Sequence, residues 1–203
     1  NRIIRTLVYR IRYFRDKVGY VKGKNNVIKK QGVKISSIIH IKGNNNHIIL
    51  EDDSLIIKCN IAILGDNNLV HIKKNSYVDG ATFHIEDCEC SIINGENTFI
   101  GASHLAVTEN KSSITIGKEC MLSSNINIRT GDSHSIVDLE SNERINYAQN
   151  VSIGDHCWIG EGAKILKGVT LGENVIVATG AIVTSSFQNN VLIGGIPGKI
   201  IKD

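Results

Sequence analysis

The sequence predicts an all-β protein, a parallel β-helix in which short strands wind into stacked triangular coils. Three observations predict it: a 22-residue repeat in the first half, a six-residue aliphatic repeat in the second, and a composition poor in large rings. Of 203 residues 41% are hydrophobic but only 5% aromatic, with 19 glycines and one proline, so the interior must be built from Ile, Val, Leu and Ala. Such side chains suit pleated, buried surfaces.

Residues 1–24 hold eight basic side chains and one acid, which leaves the rest of the chain net acidic although the whole carries +3. Residues 2–18 predict a helix with Ile3, Ile4, Leu7, Val8, Ile11, Phe14 and Val18 on one face and Arg2, Arg5, Arg12 and Lys17 on the other. Residues 1–20 are therefore set apart as a basic amphipathic segment, and residues 21–203 form the coil domain. Two roles stand open for the segment: covering the apolar edge of the first coil, or lying on an anionic cytoplasmic membrane surface. Nucleic acid is not an expected partner, because the rest of the chain is acidic and no aromatic stacking positions accompany the charge. Neither a secretory signal nor a membrane-spanning run is legible, and Asn rather than Met at position one points to a trimmed start. The expected compartment is the cytoplasm, at the inner membrane face if the leader touches lipid.

The first repeats are Ile39–Asn60, Ile61–Thr82 and Phe83–His104, each 22 residues long. Each opens with alternating apolar residues, crosses a polar turn, resumes the alternation and turns again, a pattern foreign to a helical period. Leu105–Asn125 repeats the plan with one residue fewer, and Lys22–Asn26 reads as an earlier copy. The turns at Gly43–Asn46 and Gly65–Asn68 use residues that tolerate positive φ. Residues 129–150 carry no such period and are expected to loop out between coils, where a rigid scaffold usually carries its chemistry.

From Ile153 a strict hexad runs through Ile159, Ile165, Leu171, Val177 and Val183, with Cys157, Ala163, Val169, Val175 and Ala181 four places after the first five. A large aliphatic every sixth residue, with a small one between, builds a three-sided coil whose turns bury one another. Gly194–Lys199 terminates the stack.

Five cysteines (Cys59, Cys88, Cys90, Cys120, Cys157) form no CxxC pair, which suits a reduced setting with small buried thiols. Cys88 and Cys90 without a second pair make a poor zinc site.

Several motifs resemble the hexapeptide-repeat O-acetyltransferases: Ile116–Met121, Gly131–His134, Glu143–Asn146, Ile153–Gly160, Ile165–Val169 and Gly195–Ile200. Within that family the likeness is to bacterial capsular polysaccharide (polysialic acid) O-acetyltransferases; it covers residues 100–203 well and the N-terminal third in periodicity only. The resemblance implies a left-handed coil, an exception to the usual right-handed crossover. It also implies a homotrimer with its active site between adjacent subunits, and acetyl-CoA as donor.

His134, in the irregular loop, matches the family's catalytic histidine; an imidazole can take the acceptor's hydroxyl proton and return it to the leaving thiolate. Asp132 either holds that imidazole in its working tautomer or shapes the turn. Trp158, the one tryptophan, falls inside the hexads, where a coil interior has no room for an indole, so it points outward. There it either contacts a neighbouring subunit or, as the resemblance implies, packs on the thioester end of acetyl-CoA with its N–H free to donate. By the same resemblance Gly160 and Ala178 border the donor groove, Thr184 and Ser185 meet the pantetheine and nucleotide, and Lys199 meets the 3′-phosphate. Each of these also reads as a plain coil or cap residue. Glu161 occupies a position that is serine in some sugar acetyltransferases. The acceptor pocket should draw on Ser103, His104, Asn125 and Arg129, where an arginine suits a carboxylate sugar such as sialic acid.

Histidines 40, 47, 71, 84, 104 and 156 raise a metal reading, because a γ-type carbonic anhydrase of similar coil binds zinc through three histidines. The histidine pair that site uses is missing near His134, so no metal is expected. The expected function is acetyl-CoA-dependent O-acetylation of a bacterial surface glycan, a capsule with or without sialic acid, or of its precursor. The rivals are N-acetylation of an amino sugar nucleotide and a non-catalytic scaffold or binding coil. Joint retention of His134, Trp158 and Lys199 argues against the scaffold. Cys157 is inward and placed as inert, so no covalent acyl-enzyme is expected.

Overall fold

A computed structural model describes residues 19–202; the expected leader helix over residues 2–18 lies outside the described residues. Among these every regular element is a strand, from β1 (Val21–Lys22) to β24 (Lys199–Lys202). Three sheets take every third strand in turn as far as β22, the last two strands both joining the third sheet, and enclose one core, which makes a three-sided prism. Sheet A has eight strands, sheet B seven and sheet C nine. Pairing between the coil strands is parallel except at the end, where β24 runs back along β23 (Leu192–Gly194) and closes the stack.

Register follows the repeats. In sheet A, Ile39 lies beside Ile61, Ile61 beside Phe83 and Phe83 beside Leu105, one full repeat further along the chain each time. In sheet B the same step carries Ile48 to Val70, Ile92 and Ile114. These inward side chains are buried to the last few per cent, and each isoleucine so placed contributes roughly 1.5–3 kcal/mol.

The fourth coil is longer than expected, not shorter. In sheet A, Leu105 pairs with Ile128, one position beyond a full repeat, while in sheet C Ile100 pairs with Leu122 at the unaltered repeat. The added residue sits at the corner between sheets C and A, where Leu122 to Ile128 spans six residues and Ile100 to Leu105 only five. At this corner six-residue spacing therefore starts with Leu122 to Ile128, one coil before the hexads visible in the sequence. Above it, Ile153 pairs with Leu171, Ile159 with Val177 and Ile165 with Val183, so three hexads make one turn.

The corners are ladders too. Gly43 and Gly65 stack at φ of 148° and 137°; a Cβ on Gly43 would lie 1.8 Å from the carbonyl oxygen of Gly65, so the turn requires glycine there. Beside them Asn46 Nδ2 donates to Gly65 O (2.9 Å) and to Asn26 Oδ1 (3.1 Å), and Asn46 Oδ1 accepts from the Asn68 backbone N–H (3.0 Å). These bonds satisfy turn backbone that stacking would otherwise bury unpaired. Four of the cysteines (Cys59, Cys90, Cys120 and Cys157) are buried at corners, where a small thiol fits the bend.

One segment leaves the coil. Between β16 (Asn127–Arg129) and β17 (Val151–Ile153), residues 130–150 depart from the corner joining sheets A and B and return to it. Across this coil every sheet takes the same long step, pairing Ile128 with Ile165, Ile114 with Val151 and Leu122 with Ile159.

Candidate active site

The loop has its own structure. Val137 and Arg144 form an antiparallel bridge, flanked by Asp138 N–H to Glu143 O and Ile145 N–H to Ile136 O, both 2.9 Å. The resulting finger leaves Ile136, Leu139, Ile145 and Tyr147 exposed, Leu139 completely. Its base is polar and tied. Arg144 pairs through Nη2 with Glu109 Oε1 of the preceding coil, and Glu109 Oε2 accepts from the Ala148 N–H (3.2 Å). Arg144 also lies over the Tyr147 ring, 5.0 Å from its centroid.

His134 stands exposed at this base, and among the described residues its imidazole has no hydrogen-bond partner. The only His134 atom so engaged is its carbonyl oxygen, which accepts from Asn146 Nδ2 at 2.7 Å. Asp132 is committed elsewhere: Oδ2 accepts from Lys167 Nζ (2.5 Å) and from Asn146 Nδ2 (2.9 Å). The Lys167 hydrogen bond first, and the Asn146 bond second, hold the Asp132 carboxyl below its ordinary pKa.

Trp158 opens β18 (Trp158–Ile159) and points outward as expected, 49% exposed. It belongs to an apolar outer stripe on sheet C, in register with Met121 below and Ile176 above. Tyr77, Phe99 and Leu192 extend the stripe in both directions. Sheet C is the side of the triangle opposite the corner that carries the loop, so one copy of the chain places His134 and Trp158 on different sides.

At the far end of sheet C, Gly160, Ala178 and Gly194 form a column of small residues. Gly160 N–H donates to Val177 O and Ala178 N–H to Ile193 O, both at 2.8 Å. A Cβ on Gly160 would lie 2.7 Å from the Thr179 nitrogen, so the coils approach closely there. Thr184 and Ser185 are exposed at the corner above Lys167, following Val183, whose carbonyl accepts from Leu166 N–H (3.1 Å). Lys199 is exposed at the start of β24.

On sheet A, Arg129 precedes the loop and its Nε is buried without a partner. His104 lies one coil below, beside Asn127; burial first, then Arg129 and His84, hold its imidazole below the ordinary value. Two of the expected acceptor residues are otherwise engaged: Ser103 Oγ donates to Ser123 O (3.2 Å) and Asn125 Nδ2 to Glu161 Oε1 (3.3 Å). His156 occupies a positive-φ turn and pairs with Glu119 at 3.0 Å. Among the described residues no three His, Cys, Asp or Glu side chains converge as metal ligands, and no helix is long and apolar enough to cross a membrane.

Sequence reasoning missed Asn146, Arg144, Glu109 and Lys167 as parts of this site. Glu143–Asn146 carried a family likeness, but nothing in the string joined it to Asp132 on the outgoing side of the loop.

Comparison with known proteins agrees with this architecture. The family described as bacterial transferase hexapeptide (six repeats) matches residues 150–185, and that described as hexapeptide repeat of succinyl-transferase matches residues 92–129. A polysialic acid O-acetyltransferase of Neisseria meningitidis is 34% identical over 149 residues, covering 72% of this chain and 68% of that protein. One from Escherichia coli O1:K1 is 37% identical over 133 residues, 66% of this chain, which spans only 42% of that longer protein. The crystal structure of the polysialic acid O-acetyltransferase OatWY superposes with a TM-score of 0.87 at 32% identity, covering 92% of this chain and 89% of that one. With coil and likeness in agreement over most of its length, the chain belongs to the hexapeptide-repeat O-acetyltransferase family, whose members wind as left-handed β-helices.

Proposed function

We propose that the chain transfers acetyl from acetyl-CoA to a hydroxyl of a bacterial capsular glycan, with a sialic acid polymer as the leading acceptor class. The observation that carries this reading is the position of His134: exposed at the base of the long loop, with its ring unengaged and its main chain clamped. The imidazole takes the proton of the acceptor hydroxyl, whose oxygen attacks the thioester carbonyl. The C–S bond breaks, and the imidazolium returns the proton to the leaving thiolate, giving the acetyl ester and free CoA. The indole N–H of Trp158 and nearby backbone N–H groups are the candidate donors to the developing oxyanion.

His134 and Trp158 lie on opposite sides of one prism, so the reading joins the loop of one copy to sheet C of a neighbour in a homotrimer. The apolar finger and the apolar stripe on sheet C are complementary surfaces for that contact. Gly160 and Ala178 then border the pantetheine path, Thr184 and Ser185 lie along it, and Lys199 meets the 3′-phosphate. Arg129, with an unpaired buried Nε, is the candidate for the acceptor carboxylate.

The test is acetyl-CoA turnover followed by thiol release, with sialylated glycans, neutral glycans and an amino sugar nucleotide, beside His134→Ala. Release that needs sialylated glycan and vanishes in the variant supports the reading. Release with the amino sugar nucleotide alone moves the assignment to N-acetylation, and full activity of the variant removes His134 as base.

A further inference from the structure

Asn146 is 7% exposed at the loop base, and its amide fills all four of its hydrogen-bonding positions, three of them on the segment that carries His134. Nδ2 donates to His134 O (2.7 Å) and Asp132 Oδ2 (2.9 Å). Oδ1 accepts from the Ile136 N–H (2.7 Å) and Arg144 Nε (3.2 Å). One side chain thus grips positions 132, 134 and 136 together. Its own carbonyl is fixed from both sides, by Lys167 Nζ from the coil above (3.0 Å) and by Arg144 Nη2 (3.2 Å), which is itself held by Glu109 from the coil below.

From this geometry we infer that Asn146 is the positioning residue of the active site: it sets the backbone of residues 132–136 and thereby aims the His134 imidazole. Lys167 secures Asn146 and Asp132 to the rigid coil. This inference rests on the reading of His134 as base. The physical need is plain. Among the described residues the His134 side chain has no partner, so its direction comes from its backbone, and the backbone of an exposed loop is otherwise loose. A catalytic group displaced by about 1 Å can lose on the order of 100-fold in rate. A buried carboxamide that spends both donors and one acceptor on that turn meets the need, whereas a leucine of similar shape cannot.

The experiment compares Asn146→Leu, Lys167→Met and His134→Ala with the wild-type full chain. It records kcat, KM for both substrates, acetyl-CoA affinity by direct titration, thermal stability, and the imidazole proton resonances of His134. Asn146→Leu is expected to lower kcat about 10- to 100-fold. Acetyl-CoA affinity should stay within about threefold, and the His134 resonance should move to its random-coil position. Lys167→Met, on the surface of the coil, should show the same pattern more weakly, which keeps the test sound if Asn146→Leu misfolds. A kcat within twofold of wild type in both variants, with His134→Ala inactive, overturns the positioning role. An active His134→Ala overturns the base itself. An unmoved His134 resonance in both variants overturns the geometric inference whatever the activity.

Discussion

Asn94 lies in register with Ile116 on the coil above, and its carboxamide, fully buried, has a hydrogen-bond partner for neither Oδ1 nor Nδ2. Ile72 faces it from below, so a polar group interrupts an aliphatic column of sheet B. Burying an amide unpaired costs about 1–3 kcal/mol. Asn94→Val should therefore stabilise the coil by about 1–2 kcal/mol and raise the melting temperature by about 2–4 °C per kcal/mol, with no change in turnover. Circular dichroism melts check this; an unchanged or lower midpoint means that the amide is satisfied in solution.

Trp158 separates two roles by a pair of substitutions. Trp158→Phe keeps most of the apolar surface on the sheet C stripe and loses the indole N–H; Trp158→Ala loses both. If the N–H assists the oxyanion, Trp158→Phe should lower kcat by roughly 100- to 1000-fold with little effect on self-association. If the ring serves only as an interface contact, Trp158→Phe should be near wild type and Trp158→Ala should weaken the oligomer. Steady-state kinetics with sedimentation analysis distinguishes them.

Acid should loosen the loop before the coil. The Asp132 carboxyl is held below its ordinary value by Lys167 and Asn146, so its contribution is complete above the unfolded carboxyl range near pH ~4 and is lost as pH falls through the lower folded value. Amide exchange in residues 130–150 should stay slow from pH 7 down to about 5 and quicken below about 4, when corrected for intrinsic rates. Asp132→Asn should remove that step. Exchange that quickens already between pH 7 and 5 would locate the sensitive group elsewhere.

The thiols should label in a fixed order. Burial pushes the Cys59 thiol up to about 11 and raises that of Cys90, whereas Cys88 is partly exposed. Alkylation of the native protein at neutral pH should reach Cys88 first and leave activity unchanged, since no thiol takes part in the proposed chemistry. Peptide mass mapping against residual turnover checks both halves; loss of activity in step with Cys157 labelling would revive an acyl-enzyme.

Much of the coil was legible because its winding repeats one local rule. Ile153, Ile159 and Ile165 each occupy an inward position at the same distance along the chain, so burial writes itself as a period. Cys157 and Ala163 read as small inward residues for the same reason. The extra residue before Ile128 escaped because the strand pattern on either side is intact, and only the pairing shows which corner absorbed it. Within the loop, His134 stood out by residue type and likeness. Asn146 did not, because its importance lies in the return of the chain past Asp132 and not in any local pattern. The partnership of Asp132 was open in the sequence, and the structure gives its carboxylate to Lys167, a residue three strands further along the chain.

The loop enters and leaves the coil at one corner, and the sheets on either side keep their pairing. The long step across that coil, against three hexads in the next, assigns the whole surplus of chain to the excursion and none of it to any shift of the stack. The prism therefore behaves as a spool and the loop as a detachable tool mounted on it. A chain built this way can trade one reactive segment for another of different length or chemistry while every buried contact below and above stays as it was.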